Sequence, residues 1–513
     1  MTMPKKGSIS VSVFVPVYNE QYFVAASLDR LKILAESELC SRIEVIVVDD
    51  GSTDRTPQVL ERFRRQEALR SADGASRKLT WLFLRHEANR GKGAAVRTAL
   101  KHATGEVSVI HDADLEYHPK DILRMLRVFI EQPADAVFGS RFAGSEVRRV
   151  LMYRHQLGNK FLTCLCNLMS NLNLSDVWTC YKAVRTSLLK SIPLCADDFR
   201  LEPELAIKLA KRRARIFEIP IDYFGRSYEE GKKIGWKDGL RALAAIARFW
   251  MSDELYADDD PGVGIQARLA LAPRYIAWVA DTLRPLCGER VIEVGSGLGR
   301  VALQLIPRES FTATDINPLC LEELERIAAG RPYLTAAYFD LGAAAAPGSA
   351  QISADTVLCT NVLEHLDDDR GALVRLRALL AEGGRVVLTV PNGPGNFGTL
   401  DQILGHRRRY SADDLRRVAR AAGFEVESLT GFNRLGSLAW FLNGRILRRK
   451  SFGLVQIALL DLMSPLMKRL DRWIPLPPLD LVAVLSPIPG EKTDLTDAAG
   501  APQTGALPAA RAA

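Results

Sequence analysis

Two carboxylates follow an apolar, strand-like stretch near the start of the chain, where they could serve nucleotide binding. Asp49 and Asp50 end the stretch Ile43 to Val48, and open α/β sheets expose ligand-contacting groups at such strand ends. A carboxylate there can accept a hydrogen bond from a base or a ribose. An Asp-Gly turn in which Ser52 or Thr53 caps the next helix explains the same residues equally well.

A second group of carboxylates is more closely spaced. Asp112, Asp114 and Glu116 follow the apolar stretch Val107 to Ile110. Magnesium and manganese prefer oxygen ligands, and an ion held by carboxylates can bridge a diphosphate and stabilise its departure. The alternative is a solvated acidic turn before a helix that begins near Pro119. Taken alone, the segment leaves both interpretations open.

Three glycines mark another candidate pocket in the second half of the chain. Gly295, Gly297 and Gly299 follow the strand-like stretch Val291 to Val294, and glycine lets a backbone approach a ligand closely. The spacing differs from the dinucleotide pattern, which disfavours NAD. The next strand ends at Asp315, where a carboxylate can accept from both hydroxyls of a ribose. The carboxylate makes this signal more specific than the glycines alone.

Alternating strands and helices must position these motifs. Strand-like and helix-like stretches alternate in two series, which predicts two α/β domains, the first with a largely parallel sheet. The first predicted strands are Val11 to Val17, Ile43 to Val48, Thr80 to Leu84, Val107 to Ile110 and Ala136 to Gly139. The second are Val291 to Val294, Phe311 to Thr314, Thr356 to Cys359 and Arg385 to Val390. Predicted helices include Tyr22 to Leu34, Ala94 to His102, Gly239 to Met251 and Ala267 to Leu283.

The length of 513 residues also favours two or more domains. We place the domains at residues 8–255 and 265–485, joined by an acidic, proline-bearing linker at 256–264. Residues 490–513 are rich in Ala, Pro, Thr and Gly and are predicted to form a disordered tail.

Composition narrows the class of partner. The net charge of +7 suits anionic partners, but no clustered aromatic and basic stripe supports nucleic acid, so we predict no nucleic-acid partner. Eight cysteines without a repeated pair spacing fit a reducing cytosol. The polar N-terminus predicts no signal peptide, and the expected location is cytoplasmic.

Seven segments in the first half together carry a family resemblance. They are Phe14 to Glu20, Val47 to Asp54, Asn89 to Gly93, Val109 to Glu116, Gly139 to Phe142, Ser175 to Lys182 and Gly225 to Lys233. In this order they closely resemble family 2 glycosyltransferases of the GT-A fold, particularly the dolichyl-phosphate mannose synthase-like branch. The resemblance implies metal-dependent inverting transfer from a nucleotide-sugar, with Mg²⁺ or Mn²⁺ at the site. The expected acceptor is a polyprenyl phosphate or a lipid-linked glycan.

The same resemblance assigns roles to individual residues. A nucleotide-sugar pocket is implied for Pro16, Tyr18, Glu20, Asp49, Asp50, Lys92, Asp112, Arg141, Arg154 and Lys232. The implied metal ligands are Asp112, Asp114 and Glu116, and the implied catalytic residues are Asp114, Asp176 and Arg226. Asp176 is a candidate general base if the acceptor is a hydroxyl, whereas an ionised lipid phosphate requires no base.

Three segments in the second half carry another family resemblance, Val291 to Arg300, Asp355 to Leu366 and Gly383 to Asn392. Together they resemble class I S-adenosylmethionine-dependent methyltransferases, with a Rossmann-like fold. The residues implied to bind S-adenosylmethionine are Glu293, Gly295, Gly297, Gly299, Asp315, Asp340 and Asn361. His365 is interpreted as either a base or a structural residue, and Gly405 to Ser411 as either an acceptor-side segment or a solvated basic loop. The chain is therefore expected to be a bifunctional enzyme, unless one half only binds substrate.

The region Asn433 to Pro478 mixes apolar and basic residues. Phe452 to Met467 is too short to cross a bilayer, but an aromatic and aliphatic face beside arginines could lie at the membrane surface. The alternative is that these residues cap the second sheet or seal the two domains together. The sequence therefore leaves two interpretations of this region, peripheral membrane contact and packing within the protein.

Overall fold

The computed structural model describes residues 7–72, 78–144, 153–225, 236–252, 254–257, 261–343, 353–449 and 452–489. The chain divides into two units between Ala257 and Asp258, and each unit carries a seven-stranded sheet. The prediction of two α/β domains is confirmed. The tail at 490–513 lies outside the described residues.

The N-terminal unit alternates strands and helices from its first described residues. Its strands are β1 (Ile9–Val17), β2 (Cys40–Asp49), β3 (Leu79–Arg85), β4 (Val107–Ile110), β5 (Ala136–Ser140), β6 (Lys182–Arg185) and β7 (Ile216–Pro220). Its helices are α1 (Val24–Arg30), α2 (Ile33–Glu36), α3 (Thr56–Ala72), α4 (Lys92–His102), α5 (Lys120–Glu131), α6 (Tyr153–Ser170), α7 (Thr186–Lys190), α8 (Leu201–Lys211) and α9 (Trp236–Met251).

The first sheet has the order β3-β2-β1-β4-β6-β5-β7, and β6 alone runs antiparallel to its neighbours. Val17 at the end of β1 pairs with Asp49 at the end of β2, while Phe14 pairs with Ile110 at the end of β4. The strand order reverses direction at β1, because β2 and β4 lie on opposite sides of it. Open α/β sheets bind ligands in the crevice beyond such a switch point.

The C-terminal unit repeats the alternation with different sequences. Its strands are β8 (Arg290–Val294), β9 (Ser310–Asp315), β10 (Leu334–Tyr338), β11 (Ala354–Thr360), β12 (Leu380–Pro391), β13 (Phe424–Phe432) and β14 (Asp480–Pro487). Its helices are α10 (Pro261–Leu269), α11 (Pro273–Leu283), α12 (Ala302–Leu305), α13 (Pro318–Ala328), α14 (Asp369–Arg377), α15 (Thr399–Leu404), α16 (Ala412–Ala421), α17 (Arg434–Phe441) and α18 (Leu454–Leu470).

The second sheet has the order β10-β9-β8-β11-β12-β14-β13, and β14 alone is antiparallel to its neighbours. The switch point lies at β8, since β9 and β11 flank it on opposite sides. The glycine-rich segment that follows β8 therefore emerges at the edge where ligands bind.

Two helices expected as continuous are each broken in two. The stretch from residue 22 to residue 34 forms α1 and α2, and the stretch from 267 to 283 is interrupted before α11. Pro273 begins α11, where its missing N–H costs no helical hydrogen bond. No helix in the described ranges combines the length and apolarity needed to cross a bilayer.

Candidate functional sites

Backbone hydrogen bonds bring the first two carboxylate motifs to one edge of the N-terminal sheet. The Asp50 N–H donates to the Val17 carbonyl at 2.8 Å, and the His111 N–H donates to the Phe14 carbonyl at 2.9 Å. Asp112 follows His111 directly. The edge beside β1 is thus lined by carboxylates from two flanking strands, as the spacing of the motifs predicts.

Asp50 is buried and holds a neighbouring loop. Its Oδ1 lies 2.6 Å from Nδ1 of His86 and accepts the Arg90 N–H at 3.0 Å, while Oδ2 accepts the Gly91 N–H at 2.7 Å. Asp49 Oδ1 accepts the Ser52 N–H at 2.9 Å. Asp49 therefore has the turn role considered from the sequence, whereas Asp50 fixes the loop that leads into α4.

Lys92, at the start of α4, pairs with two carboxylates. Its ammonium nitrogen lies 3.1 Å from Asp112 Oδ1 and 3.1 Å from Glu202 Oε1. Burial alone would raise the pKa of Asp112, but the attraction of Lys92 outweighs it and holds that pKa below its usual value. Asp112 consequently carries its negative charge before any ligand arrives.

Asp114 and Glu116 occupy a tight turn after β4. Asp114 Oδ1 accepts the Glu116 N–H at 3.1 Å, and Leu115 between them has a φ of 65°. Glu116 Oε2 accepts from the Tyr223 hydroxyl at 2.8 Å. These half-buried oxygen donors fit the ligand chemistry of a hard divalent ion.

Arg141 is locked by Asp176. Its Nε and one terminal nitrogen donate to the two Asp176 oxygens at 2.6 and 2.9 Å, and its guanidinium lies 5.1 Å from the centre of the Tyr223 ring. Asp176 is fully buried. The structure places this carboxylate behind Arg141, in a fork-to-fork pair that fixes the arginine's direction.

The remaining predicted residues of this site divide into two sets. Pro16 lies at the end of β1, Tyr18 beyond it is exposed, and the Glu20 N–H donates to Thr56 Oγ1 at 2.9 Å. Arg226 and Lys232 lie outside the described residues, and Arg154 lies in α6 with its side chain likewise outside the description.

The glycines after β8 adopt backbone conformations that other residues reach with strain. Gly295, Gly297 and Gly299 have φ values of 74°, 53° and 67°. A Cβ on Gly295 would lie 2.2 Å from Val362, and one on Gly297 would lie 2.6 Å from Gln266. The loop therefore requires glycine at these positions. Such a loop can approach a bound nucleoside closely.

Two carboxyl groups flank this loop. Asp315 accepts the Gly297 N–H at 2.8 Å through Oδ2 and the Asn317 N–H at 2.9 Å through Oδ1. Glu293 is buried beneath the loop, and burial raises its pKa to about 7. Asp315 borders the adjoining cavity, whereas Glu293 and Gly299 do not belong to its lining.

A cavity of about 530 Å³ opens beside the glycine loop. Asp315, Asp340 and Asn361, all assigned to the cofactor from the sequence, lie on its wall. The shared wall of glycine backbone, carboxylates and apolar side chains fits an adenosine-containing ligand. Five of the seven predicted cofactor residues thus line one cavity, counting Gly295 and Gly297.

Polar residues at another part of the same wall come from four segments. His365, His406, Arg409, Trp440 and Asp480 line the cavity there. The Arg407 N–H donates to the Glu364 carbonyl at 2.8 Å, which joins the segment after β11 to the loop after α15. The segment Gly405 to Ser411 is accordingly part of the pocket and not only a solvated loop.

Asp401 was not anticipated from the sequence, although it organises this wall. Its Oδ1 lies 2.9 Å from Nδ1 of His406 and accepts from Arg409 Nε at 2.8 Å, and its Oδ2 accepts from Trp440 Nε1 at 3.1 Å. The sequence signal was limited to an acidic residue five positions before His406. The sequence does not indicate its contact with Trp440, because that residue belongs to α17, 39 positions away.

Two family models match the chain. The model described as glycosyl transferase family 2 matches residues 12–192, and the model described as methyltransferase domain matches residues 266–429. The first range contains both carboxylate motifs, Arg141 and Asp176. The second contains the glycine loop, Asp315 and the two cavity histidines.

Two relatives are similar over less than half of this chain. An undecaprenyl-phosphate 4-deoxy-4-formamido-L-arabinose transferase from Edwardsiella ictaluri is 30% identical over 222 residues, which are 43% of this chain and 62% of that protein. A dolichol-phosphate mannosyltransferase from Pyrococcus furiosus is 26% identical over 229 residues, which are 44% of this chain and 60% of that protein. The chain spans only about three-fifths of the length of either relative.

One solved structure aligns with half of this chain. The crystal structure of glucosyl-3-phosphoglycerate synthase from Mycobacterium tuberculosis in complex with Mn²⁺, uridine diphosphate and phosphoglyceric acid aligns with a TM-score of 0.37 and 17% identity. The alignment covers 50% of this chain and 82% of that one.

Proposed function

Because this chain belongs to the family 2 glycosyl transferases through its N-terminal unit and to the methyltransferases through its C-terminal unit, we propose that it is a bifunctional enzyme of lipid-linked glycan synthesis. The N-terminal unit transfers a sugar from a nucleotide-sugar to a lipid phosphate with the help of a divalent ion. The C-terminal unit transfers a methyl group from S-adenosylmethionine to a hydroxyl of a glycan. Both halves are transferase domains, and the family resemblance predicted from the sequence is confirmed.

The carboxylate edge of the N-terminal sheet supports the sugar transfer. Asp112 is held ionised by Lys92, and Asp114 is partly exposed at the same strand end. A divalent ion bound there would supply the positive charge that stabilises a departing diphosphate. Asp50 and Lys92 hold the surrounding loops, and Asp176 aims Arg141. Arginine suits phosphate recognition because its planar fork stays charged.

A lipid-phosphate acceptor is supported by an exposed apolar face as well as by the two named relatives, whose names specify undecaprenyl and dolichol phosphates. Tyr153, Leu157, Phe161 and Leu168 are spaced four, four and seven residues apart along α6, and each is at least 56% exposed. Exposed stripes of this kind mark contact with a membrane or a partner. An acceptor phosphate already carries charge at neutral pH, so the buried Asp176 need not act as a base.

The C-terminal unit carries a second such face, on α18. Val455, Leu459, Leu462, Leu466 and Leu470 are between 45% and 82% exposed, whereas Ile457 and Met467 on the opposite side are buried. Exposed cations flank the stripe at Arg445, Arg448, Arg449, Lys468, Arg469 and Arg472. Apolar side chains beside cations favour the headgroup boundary of an anionic bilayer. We therefore assign the protein to the cytoplasmic face of a membrane, with α18 as a peripheral contact.

The cavity beside the glycine loop carries the proposal of methyl transfer. Its wall joins five residues expected to bind S-adenosylmethionine to polar side chains from α17 and from the loops that follow β11 and α15. S-adenosylmethionine, when bound, would supply an electrophilic methyl group. The polar wall would orient the accepting oxygen, since alignment is the main requirement of such a transfer.

Ligand-dependent unfolding of the full chain tests both assignments. A ligand that binds only the folded state raises its apparent stability. Calorimetry should show one transition raised by a nucleoside diphosphate with Mn²⁺ and another raised by S-adenosylhomocysteine. If neither nucleotide nor S-adenosylhomocysteine shifts a transition, the proposed function is wrong; if only one does, the other unit is a binding module for a different ligand.

Flotation with liposomes tests the membrane contact. The intact chain should float with phosphatidylglycerol vesicles at low salt and less with phosphatidylcholine. The double substitution Leu459→Glu and Leu462→Glu should abolish flotation, whereas Tyr338→Glu, an equally exposed residue on β10, should not. If the double variant floats like the wild type, or changes only the oligomeric state, α18 is not the membrane contact.

A further inference from the structure

A buried carboxylate in the C-terminal unit lacks the partners that such a group normally has. Glu364 has no exposed surface, and neither of its carboxylate oxygens accepts a hydrogen bond from another residue within the described ranges. Buried polar groups are almost always paired, so an orphan carboxylate calls for a specific explanation. Nε2 of His406 lies 3.8 Å from Oε1, beyond hydrogen-bond distance.

Two histidines surround this carboxylate. One donor atom each from Glu364, His365 and His406 lies within 4.8 Å of the other two. A point within about 2.8 Å of all three atoms exists in any such triangle, and Zn²⁺ binds His nitrogen and carboxylate oxygen at about 2.0 to 2.2 Å. Side-chain movements of less than about 1 Å would bring the three atoms to coordination distance.

His406 is held as a metal-ligating histidine usually is. Its Nδ1 lies 2.9 Å from Asp401 Oδ1, which leaves Nε2 directed toward Glu364. Ligating histidines characteristically donate their other ring nitrogen to a carboxylate, which fixes the ring and raises the basicity of the ligating atom. Arg409 and Trp440 anchor Asp401 in turn. The carboxylate that orients His406 is therefore itself held in place by two hydrogen bonds.

We propose that Glu364, His365 and His406 form a zinc site in the wall of the methyltransferase cavity. Two nitrogen ligands and one carboxylate match the donor set of catalytic zinc sites, which keep a further position open. Both histidines line the cavity while Glu364 lies behind them, so the open position faces the space beside the glycine loop.

The role of the site rests on the proposed methyl transfer, although zinc binding itself does not. An acceptor hydroxyl that takes the open position loses its proton to solvent more readily. Its oxygen lone pair would then form the bond to the methyl carbon of bound S-adenosylmethionine as the sulfur–methyl bond breaks, and the sulfur would leave with that electron pair as the neutral thioether of S-adenosylhomocysteine.

Zinc retention by the full chain is the direct test. The protein is loaded with Zn²⁺ and dialysed against millimolar Mg²⁺, which occupies carboxylate sites such as Asp112 and Asp114 but competes poorly for histidine ligands. We expect one zinc per chain by elemental analysis. Each of His365→Gln, His406→Gln and Glu364→Gln should weaken zinc affinity at least about 100-fold, more than loss of an outer partner does. His102→Gln, a change at an exposed histidine, should have no effect.

Affinity for S-adenosylhomocysteine, measured by calorimetry on the same proteins, separates loss of zinc from loss of fold. Variants that bind S-adenosylhomocysteine normally but retain no zinc support the site, and a visible spectrum of the Co²⁺-loaded wild type that His406→Gln removes does so independently. A wild-type chain that retains no zinc, or a His365→Gln variant that retains it fully, overturns the inference. Either result leaves the proposed methyl transfer standing if S-adenosylhomocysteine still binds.

Discussion

Carboxyl groups at the two candidate sites are stabilised in different ways. At the N-terminal site, Asp112 is paired with Lys92 at 3.1 Å and Asp176 with Arg141 at 2.6 Å. At the C-terminal site Asp401 is likewise paired with Arg409, but burial raises the pKa of Glu293 to about 7 and that of Glu364 to about 8, and the attraction of Arg409 offsets only part of the hydration that Glu364 loses. One site is preset with fixed charges, and the other holds groups that gain or lose protons.

This difference suits the ligands that we assign to the two sites. A diphosphate and a divalent ion are multiply charged, so a site for them benefits from charges whose positions are fixed before binding. A site for a nucleoside and a methyl group needs close backbone approach more than charge, and its glycine loop provides that. Substitutions at the fixed charges and at the glycine loop should therefore have different effects.

The largest expected effect concerns the fixed charges. Asp114→Asn should lower sugar transfer at least about 100-fold, because it removes a charge-stabilising group from the metal site, and should leave methyl transfer unchanged. Asp29→Asn, at an exposed surface pair, is the control and should alter neither rate. Full sugar transfer in EDTA would contradict the metal-dependent mechanism.

The second prediction concerns the site beside the glycine loop. Asp315→Ala should weaken S-adenosylhomocysteine binding about 10- to 100-fold, the cost of losing charged hydrogen bonds, while nucleotide-sugar binding persists. Calorimetry on the full chain measures both affinities in one preparation. Unchanged affinity for S-adenosylhomocysteine would show that Asp315 only supports Gly297, whose N–H it accepts.

The sequence predicted most of the parallel strands of both sheets because buried strands are continuous apolar runs that end in recognisable motifs. It missed β7 and β10, which also pair in parallel. It did not indicate β6, a strand of only four residues, Lys182–Arg185, with a basic residue at each end. Lys182 is buried there because its ammonium donates to the Val177 carbonyl at 2.9 Å and pairs with Glu202. That environment arises from tertiary packing and leaves no periodic signal.

At the candidate sites, too, local features were predictable from the sequence and contacts between distant residues were not. Asp112, Asp114, Gly295 and Asp315 were predictable because strand ends and glycine spacing are local features. The engagement of Asp176 by Arg141 was not, since the partners lie 35 positions apart. Asp401 was missed for the same reason, because its contact with Trp440 spans 39 positions.

The third prediction follows from the Asp176–Arg141 pair and has a smaller expected effect. If Asp176 positions Arg141, then Asp176→Asn should lower sugar transfer about tenfold and Arg141→Lys should do so similarly, because a lysine lacks the bidentate fork. The pH dependence of the rate should be the same in Asp176→Asn as in the wild type. Loss of the acidic limb of the pH profile in that variant, where protonation of a base lowers the wild-type rate, would instead identify Asp176 as a general base.

The smallest expected effect concerns the stability of the C-terminal unit. The pKa of Glu293 is about 7 in the folded state against 4.5 as its ordinary value, so the folded state binds this proton more tightly than the unfolded state. Its contribution to stability is present below about pH 4.5 and is lost as pH rises through about 7. The C-terminal unit should therefore lose free energy of unfolding across this interval, on the order of 3 kcal/mol from this residue alone.

Glutamine cannot ionise, so Glu293→Gln should flatten this pH dependence while leaving the transition of the N-terminal unit unchanged. Differential scanning calorimetry of the full chain between about pH 5 and about pH 9 measures both transitions. Glu289→Gln, at an exposed side chain four residues earlier, is the matched control and should retain the wild-type slope. The paired carboxylates of the N-terminal unit predict the opposite sign, because the lowered pKa of Asp112 yields stability that disappears only as pH falls. A wild-type slope in Glu293→Gln would mean that this carboxyl stays hydrated or finds a cation, and the contrast between the two sites would then rest on Glu364.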